Sequence, residues 1–163
     1  MVNDEIKLEE APVLDTAEMS DGELTVDDLG GNWLKNPAVG ESTEFVVRSI
    51  VKNTKDLLPT NPKTQKKMKL ALSGVDYNIH INATSGKVFA ISSWEVWGKL
   101  KAIWKKLANG QKGWTMANQQ VRVKHLLNGL LDENKDKYCY EVAVLIDGKY
   151  LTLDRKTNEW VAA

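Results

Sequence analysis

The chain of 163 residues carries 22 basic and 22 acidic side chains, and 42% of its residues are hydrophobic. This length suits one domain with a sizeable core, and the single cysteine, Cys139, excludes an internal disulfide. No apolar run approaches the roughly 18 residues of a membrane span, and the acidic start lacks the apolar core of a secretory signal. The sequence therefore predicts a cytoplasmic protein with no membrane partner.

The charge is divided sharply along the chain. Residues 1–30 hold ten acids and one base, a net charge of −9, so residues 31–163 carry +9. A segment with few large apolar residues and high like charge cannot bury enough surface to offset its ordering entropy. We expect an acidic, disordered arm over residues 1–30 and a basic folded domain over residues 31–163, with Trp33 as the first ordered contact.

The first half of the domain shows the period-two alternation of β-strands. Strands are predicted at 42–53, 75–83 and 87–93, and Ser85-Gly86 supplies a tight turn between the last two. The intervening segment, residues 54–69, contains two prolines and is rich in lysine, which indicates a long surface loop.

The spacing of apolar residues changes from every second position to the three-to-four spacing of a helix after residue 91. Ser92 and Glu95 fit the capping box, in which hydroxyl and carboxylate satisfy the first amides of a helix. Apolar residues then recur every three to four positions until Asn109-Gly110, which is typical of a helix end. The spacing places Trp97 and Trp104 on the buried stripe.

Strand patterns return in the last third of the chain. We predict strands at 119–126 and 138–146 with a polar loop over 128–137 between them. Asp147-Gly148 then turns into a short sixth strand. A helix between the third and fourth of five main strands is the order of the OB-fold. The predicted fold is mainly β with one helix, in a five-stranded OB-type barrel.

Three stretches, "NPAVGESTEFVVRSIVKN", "GVDYNIHINATSGKVFAISSW" and "VRVKHLLNG", resemble the single-stranded DNA-binding OB domains of archaea, phages and archaeal viruses. The resemblance covers about residues 31–146 and implies an OB barrel that binds unpaired strands. The chain differs from the bacterial single-strand binding proteins in carrying its acidic extension at the N-terminus.

Single-strand binding needs cations for the phosphates and flat side chains on which bases stack. The candidates are of three kinds: cations on strands and in the lysine-rich loop, polar side chains on the second strand, and aromatic rings. They are Arg48, Lys52, Lys66, Lys67, Lys69, Arg122 and Lys124; Asn78 and His80; and Tyr77, Phe89, Trp94 and Trp114.

Several of these residues have a structural alternative. The lysines fit a solvated surface as well as a phosphate track, and His80 fits either a base or phosphate contact or plain exposure. Tyr77 shares the face of Ile79 and Ile81, which favours the core, whereas Phe89 fits either role. Trp94 and Trp114 are the more open candidates for stacking.

Enzymatic function is not expected. Neither His80 nor His125 lies at ligand spacing from the other or from Cys139, so no metal or other cofactor is predicted. No phosphate-cradling loop or nucleophile motif is present in the sequence.

The resulting hypothesis is a sequence-tolerant single-stranded DNA-binding protein of replication, recombination or repair, acting in a host cell if the protein is viral. The alternative is an OB-type module that binds RNA or a protein partner. The acidic arm has two interpretations: a phosphate mimic that occupies the basic groove and, when displaced, recruits replication or repair proteins, or a segment that only confers solubility.

Overall fold

The computed structural model describes residues 8–10, 33–54, 70–131, 137–154 and 156–163. Apart from residues 8–10, the predicted arm lies outside these ranges, and so does most of the lysine-rich loop, from residue 55 onward. The division into an arm and a domain at residue 31 therefore stays a prediction.

Nine strands and one helix occupy the described residues, so the prediction of a mainly β fold with one helix is confirmed there. The elements are β1 (Glu9–Glu10), β2 (Trp33–Leu34), β3 (Ser42–Thr54), β4 (Tyr77–Ala83), β5 (Val88–Ala90), α1 (Trp94–Ala108), β6 (Gln120–Leu131), β7 (Lys137–Ile146), β8 (Lys149–Leu153) and β9 (Trp160–Ala162).

The strands form an open sheet, and the predicted five-stranded barrel is wrong. Their order is β2-β5-β4-β3-β6-β7-β8-β9, with β1 added to β3. Closing a barrel would require β5 and β7 to pair through their second edges. In this structure β2 takes the second edge of β5 in a parallel pairing, and β8 takes that of β7 in an antiparallel hairpin. Because both edges are occupied, the sheet stays open.

The long strand β3 joins the two halves of the sheet. Its N-terminal part pairs with β6 from Ser42 to Val46, and its C-terminal part pairs with β4 from Val47 to Thr54. The register shifts between Val47 and Ser49, which leaves Arg48 at a bulge. The side chains of the N-terminal half of β3 therefore lie beside those of β6, and the side chains of its C-terminal half lie beside those of β4.

Helix α1 packs against β7 and β8 and closes the core on one face of the sheet. Its buried stripe includes the predicted Trp97 and Trp104. Asn109 ends the helix in the left-handed conformation at φ 47°, as the Asn-Gly signal predicted. No helix in the described ranges has the length and apolar character needed to cross a membrane.

The predicted capping box is not formed. The N-cap is Ser93, whose Oγ accepts a hydrogen bond from the Glu95 N–H at 3.2 Å. The Glu95 carboxylate instead accepts the backbone N–H groups of Cys139 and Tyr140 at 2.9 and 2.8 Å, and the Lys99 ammonium at 2.8 Å. A contact between distant segments has replaced the local one, and it fixes the start of α1 on β7.

The described residues of the predicted polar loop at 128–137, which are 128–131 and 137, are strand. β6 continues to Leu131 and β7 starts at Lys137, with Leu130 paired to Tyr138 and Leu131 to Lys137. Backbone pairing in a hairpin does not depend on side-chain polarity. The polar composition of this segment therefore led to a wrong prediction of loop at these residues. The turn at Asp147 and Gly148 is as predicted, because both residues have positive φ, at 50° and 79°.

Candidate nucleic-acid interface

The predicted binding residues fall into distinct environments. Lys66, Lys67 and Lys69 lie outside the described residues. Asn78, His80 and Phe89 are buried, whereas Arg48, Lys124 and Trp94 are exposed. The remaining four, Lys52, Tyr77, Trp114 and Arg122, are half-buried. The structure therefore does not bring the predicted set together on one surface.

The polar face of β4 is buried rather than open to solvent. Asn78 is opposite Asn53 across the β3–β4 ladder, and Asn82 is opposite Ser49. The Oδ1 atom of Asn78 accepts the N–H of Ala71 at 2.7 Å, and the Asn82 amide donates to Ser49 Oγ at 3.0 Å. Alternation had correctly separated an apolar from a polar face but could not indicate that the polar face is covered.

His80 is the centre of this polar face and is only 1% exposed. Its Nδ1 lies 3.0 Å from the Asn53 amide nitrogen, and the Trp33 ring meets the imidazole edge-on at 5.2 Å between centroids. Burial lowers the pKa of His80 from 6.5 to about 4, so the ring is neutral near pH 7. A neutral, enclosed imidazole offers no charge to a phosphate.

The apolar face of the same strands holds two of the predicted aromatic candidates, Phe89 and Tyr77. Phe89 is 0% exposed and stacks on Phe45 at 5.2 Å, so it belongs to the core. Tyr77 is half-buried against that core, and the Lys52 ammonium lies 5.3 Å from the centre of its ring. These residues stabilise the sheet.

A second group of polar side chains lies on the other half of the sheet, where β6, β7 and β8 run side by side. We call Gln120, Arg122, Glu141 and Tyr150 the Arg122 platform. The Arg122 guanidinium carbon lies 4.5 Å from the centre of the Tyr150 ring, and its Nη2 is 3.1 Å from a Glu141 carboxylate oxygen. The Gln120 amide donates to the Tyr150 hydroxyl at 2.8 Å. The ring and the guanidinium are thus held in a fixed stack.

The charges around the platform are mixed. Burial raises the pKa of Tyr150, opposed by the hydrogen bond from Gln120 and reinforced by the Glu44 carboxylate. Tyr150 is therefore a neutral phenol near pH 7. Lys124 follows Arg122 by two residues on β6, which places both on the same side of the strand, and it is exposed. Lys124 is opposite Glu141 across the β6–β7 ladder.

A groove of about 520 Å³ separates α1 from β7 and β8. We call it the α1 groove. It is lined mainly by apolar groups, with three carboxylates and one ammonium: Trp94, Glu95, Gly98, Lys99, Ala102, Ile103, Leu126, Tyr140, Glu141, Thr152, Leu153, Asp154 and Asn158. Among the described residues, no three His, Cys, Asp or Glu side chains are grouped so as to hold a metal ion.

The two open tryptophan candidates have different surroundings. Trp94 is 41% exposed at the groove, and its Nε1 donates to the Ser73 carbonyl at 3.0 Å, which fixes the orientation of the ring. Trp114 packs partly against the core, and its carbonyl accepts a hydrogen bond from Trp104 Nε1 at 3.0 Å. Trp94 therefore presents the more accessible ring.

Sequence reasoning missed Tyr150, Gln120, Asn53, Asn82 and the contact of Trp33 with His80. The alternation of Gln120, Arg122 and Lys124 along one strand was visible in the sequence. The pairing that brings Tyr150 over Arg122 depends on two consecutive hairpins, and it was not visible in the sequence.

No protein family model matches the chain, and no curated protein or solved structure is significantly similar to it. The resemblance to single-stranded DNA-binding OB domains therefore depends on the sequence pattern alone.

Proposed function

We propose that this protein binds single-stranded DNA in a sequence-tolerant manner, through phosphate neutralisation and base stacking, and acts in the cytoplasm in replication, recombination or repair. The observation that carries this proposal is the fixed stack of Arg122 on Tyr150 in the Arg122 platform. The Arg122 side chain is 21% exposed, and a base would stack on this exposed part, because guanidinium planes and aromatic rings both accept unpaired bases.

The surroundings of the stack supply the phosphate contacts. Lys124 is exposed two residues beyond Arg122, and Arg48 is exposed at the bulge of β3, the strand that pairs with β6. The domain as a whole carries +9 over residues 31–163. A charge of this sign attracts the phosphate backbone without regard to sequence.

The aromatic ring of Trp94 adds a second stacking position. The hydrogen bond to Ser73 holds the ring in place while 41% of the residue stays exposed. An ordered ring loses little conformational entropy when a base stacks on it. Asn78, His80 and Phe89 do not belong to this open interface, because they are buried.

The direct test is a polarisation titration with labelled oligo-dT, an RNA of equal length and duplex DNA. We expect oligo-dT to bind most tightly, with log affinity falling against log salt by about 0.7 per phosphate contact. Salt-independent binding would contradict phosphate neutralisation. Preference for the RNA would favour the RNA-binding alternative.

The α1 groove favours a protein partner as the second candidate function. Its apolar lining and its three carboxylates, against the single ammonium of Lys99, fit a peptide whose apolar side chain is flanked by lysine or arginine. Such a peptide should protect Trp94 and displace an oligonucleotide base from that ring, while leaving the contacts at the Arg122 platform in place. A synthetic Lys-Leu-Lys-type peptide titrated by intrinsic tryptophan fluorescence tests this candidate, with Trp94→Ala as the control that identifies the contribution of Trp94 among the six tryptophans.

A further inference from the structure

Four buried side chains on one face of the sheet carry polar atoms without a hydrogen-bond partner. They are Nε1 of Trp33, Oδ1 of Asn53, Nε2 of His80 and Oδ1 of Asn82; no described residue satisfies any of them. Each of the four residues is more than nine-tenths buried. Buried polar atoms are normally paired, so a group of four on neighbouring strands needs an explanation.

The strand register places these side chains together. Trp33 on β2 is opposite Val88 on β5, and Val88 is opposite Asn82 on β4. In the next row, His80 is opposite Val51, and one row further Asn78 is opposite Asn53. Residues directly opposite one another project to the same face of a sheet. We call Asn53, His80 and Asn82 the amide–imidazole cluster, against which the Trp33 ring packs.

The cluster offers both donors and acceptors. The Asn53 amide nitrogen donates to His80 Nδ1, so the neutral ring carries its proton on Nε2. The unpartnered atoms of the cluster are then one N–H donor, on His80, and two carbonyl acceptors, on Asn53 and Asn82. A phosphate would be repelled by the acceptors, and a cation by the donor. A neutral planar ring with its own donors and acceptors, such as a nucleobase, matches the mixture.

The Trp33 ring packs on this cluster from β2, which is a short strand. β2 has two residues and forms only the pairs Trp33 with Val88 and Leu34 with Phe89. Beyond it, the Asn36 amide donates to the Ala90 carbonyl at 3.1 Å, which anchors the chain where the segment ends. β2 is also the first strand on the path of the sheet, so lifting it leaves the β3–β4–β5 pairings intact.

We propose that the amide–imidazole cluster is a binding site for an unpaired nucleobase and that β2, through Trp33, covers it in the free protein. This inference rests on the proposed single-strand binding. When a strand binds, β2 moves aside, and the base accepts a hydrogen bond from His80 Nε2 and donates one to the Asn53 or Asn82 carbonyl. Arg48, exposed at the bulge next to Ser49, contacts the phosphate of the same nucleotide.

Removing the cover should strengthen binding, since a protein whose competent state is rarely populated binds with an apparent affinity reduced by that population. We expect Trp33→Ala to bind oligo-dT about fivefold or more tightly than the natural protein. A strand of equal length built from abasic sites should show no such gain, because it has phosphates and no bases. An equal gain for both strands, or no gain for either, overturns the proposal.

Trp160→Ala is the matched control. Trp160 packs partly against the core and lies on β9, the last strand of the path, whereas Trp33 lies on the first strand and packs on His80. A general loosening of the domain would change both variants alike. A gain specific to Trp33→Ala and to the base-bearing strand supports a site beneath β2.

Hydrogen exchange on the natural protein gives a test that does not require the variant to fold. Saturating oligo-dT should speed amide exchange in the peptide that contains residues 33–36 and leave residues 160–162 unchanged. Slowed or unchanged exchange at residues 33–36 would contradict the proposal that β2 covers the cluster and moves aside on binding. If the natural protein binds neither strand, the proposed function itself fails, which is distinct from a protein that binds with β2 in place.

Discussion

The carboxylate of Glu95, at the start of α1, accepts a hydrogen bond from the backbone N–H of Tyr140 on β7 at 2.8 Å. The same carboxylate accepts the N–H of Cys139 and the ammonium of Lys99. One side chain thus joins the helix to the strand that forms the far wall of the α1 groove. The geometry of that groove depends on this junction.

Replacing Glu95 should therefore weaken the fold. Glu95→Gln removes the charge and leaves Cys139 or Tyr140 without its acceptor, so we expect a loss of roughly 1 to 3 kcal/mol in the free energy of unfolding at pH 7. Because the carboxylate is partly exposed, solvent screening places the value toward the lower end. Urea denaturation measures it, with Glu41→Gln, at an exposed position, as the control.

The pH dependence of this contribution has a definite sign. Burial acts to raise the pKa of Glu95, but hydrogen bonds from Cys139, Lys99 and Tyr140 outweigh it, so the pKa is lowered. A lowered carboxylate pKa stabilises the fold above the unfolded-state pKa, and the contribution is lost as pH falls through the folded-state pKa. The difference between Glu95→Gln and the natural protein should shrink in acid. A constant difference down to pH 3 would contradict this account.

His80 should make stability depend on pH in a higher window. Burial lowers its pKa from 6.5 to about 4, so between these values the unfolded chain binds a proton that the folded chain excludes. The contribution of His80 to the free energy of unfolding is therefore fully present above about pH 6.5. It is lost as the pH falls towards 4, by about 3 kcal/mol in total. His80→Gln should abolish the fall, and His125→Gln, as the control, should retain it. An identical profile in His80→Gln and the natural protein would assign the fall to other groups.

Strand alternation and end signals predicted most individual elements from the sequence. The strand now seen at Tyr77–Ala83 and the helix end at Asn109 follow from nearest neighbours along the chain, which local patterns record. The open sheet does not follow from local patterns, because it depends on which strand edges β2 and β8 occupy. The same reason explains the candidate site: alternation identified His80 on a polar face, but only the tertiary fold shows that His80 is buried and packed against the Trp33 ring.

The Arg122 platform can be tested by separating charge from shape. Arg122→Lys keeps the cation but removes the plane that stacks on Tyr150, so we expect roughly tenfold weaker oligo-dT binding with an unchanged salt slope. Lys124→Gln removes a cation but no planar group on which a base could stack. It should lower the slope of log affinity against log salt by about 0.7. Natural affinity in Arg122→Lys would show that no base stacks on the guanidinium.

A pair of substitutions distinguishes DNA from a peptide at the α1 groove. A Cβ atom added at Gly98 meets no atom within 4 Å, so Gly98→Leu fills the groove without a clash at its Cβ. We expect Trp94→Ala to weaken oligo-dT binding by about 1 to 3 kcal/mol through the lost stacking surface. Gly98→Leu should leave oligo-dT affinity unchanged and block a groove-bound peptide. Equal loss of oligo-dT binding in both variants would mean that the strand enters the groove.

The acidic arm can be tested by charge rather than by deletion. Truncating residues 1–30 would also remove β1, which pairs with Val51 and Lys52, and Leu8, which packs against the core. A variant with Asp21, Glu23, Asp27 and Asp28 changed to their amides reduces the net charge of the arm from −9 to −5 and leaves β1 intact. If the arm competes with phosphates, this variant binds oligo-dT several-fold more tightly at low salt. The gain disappears as salt screens the arm, over a Debye length of about 8 Å at physiological ionic strength. Unchanged affinity at low salt would leave the arm with a solubilising role only.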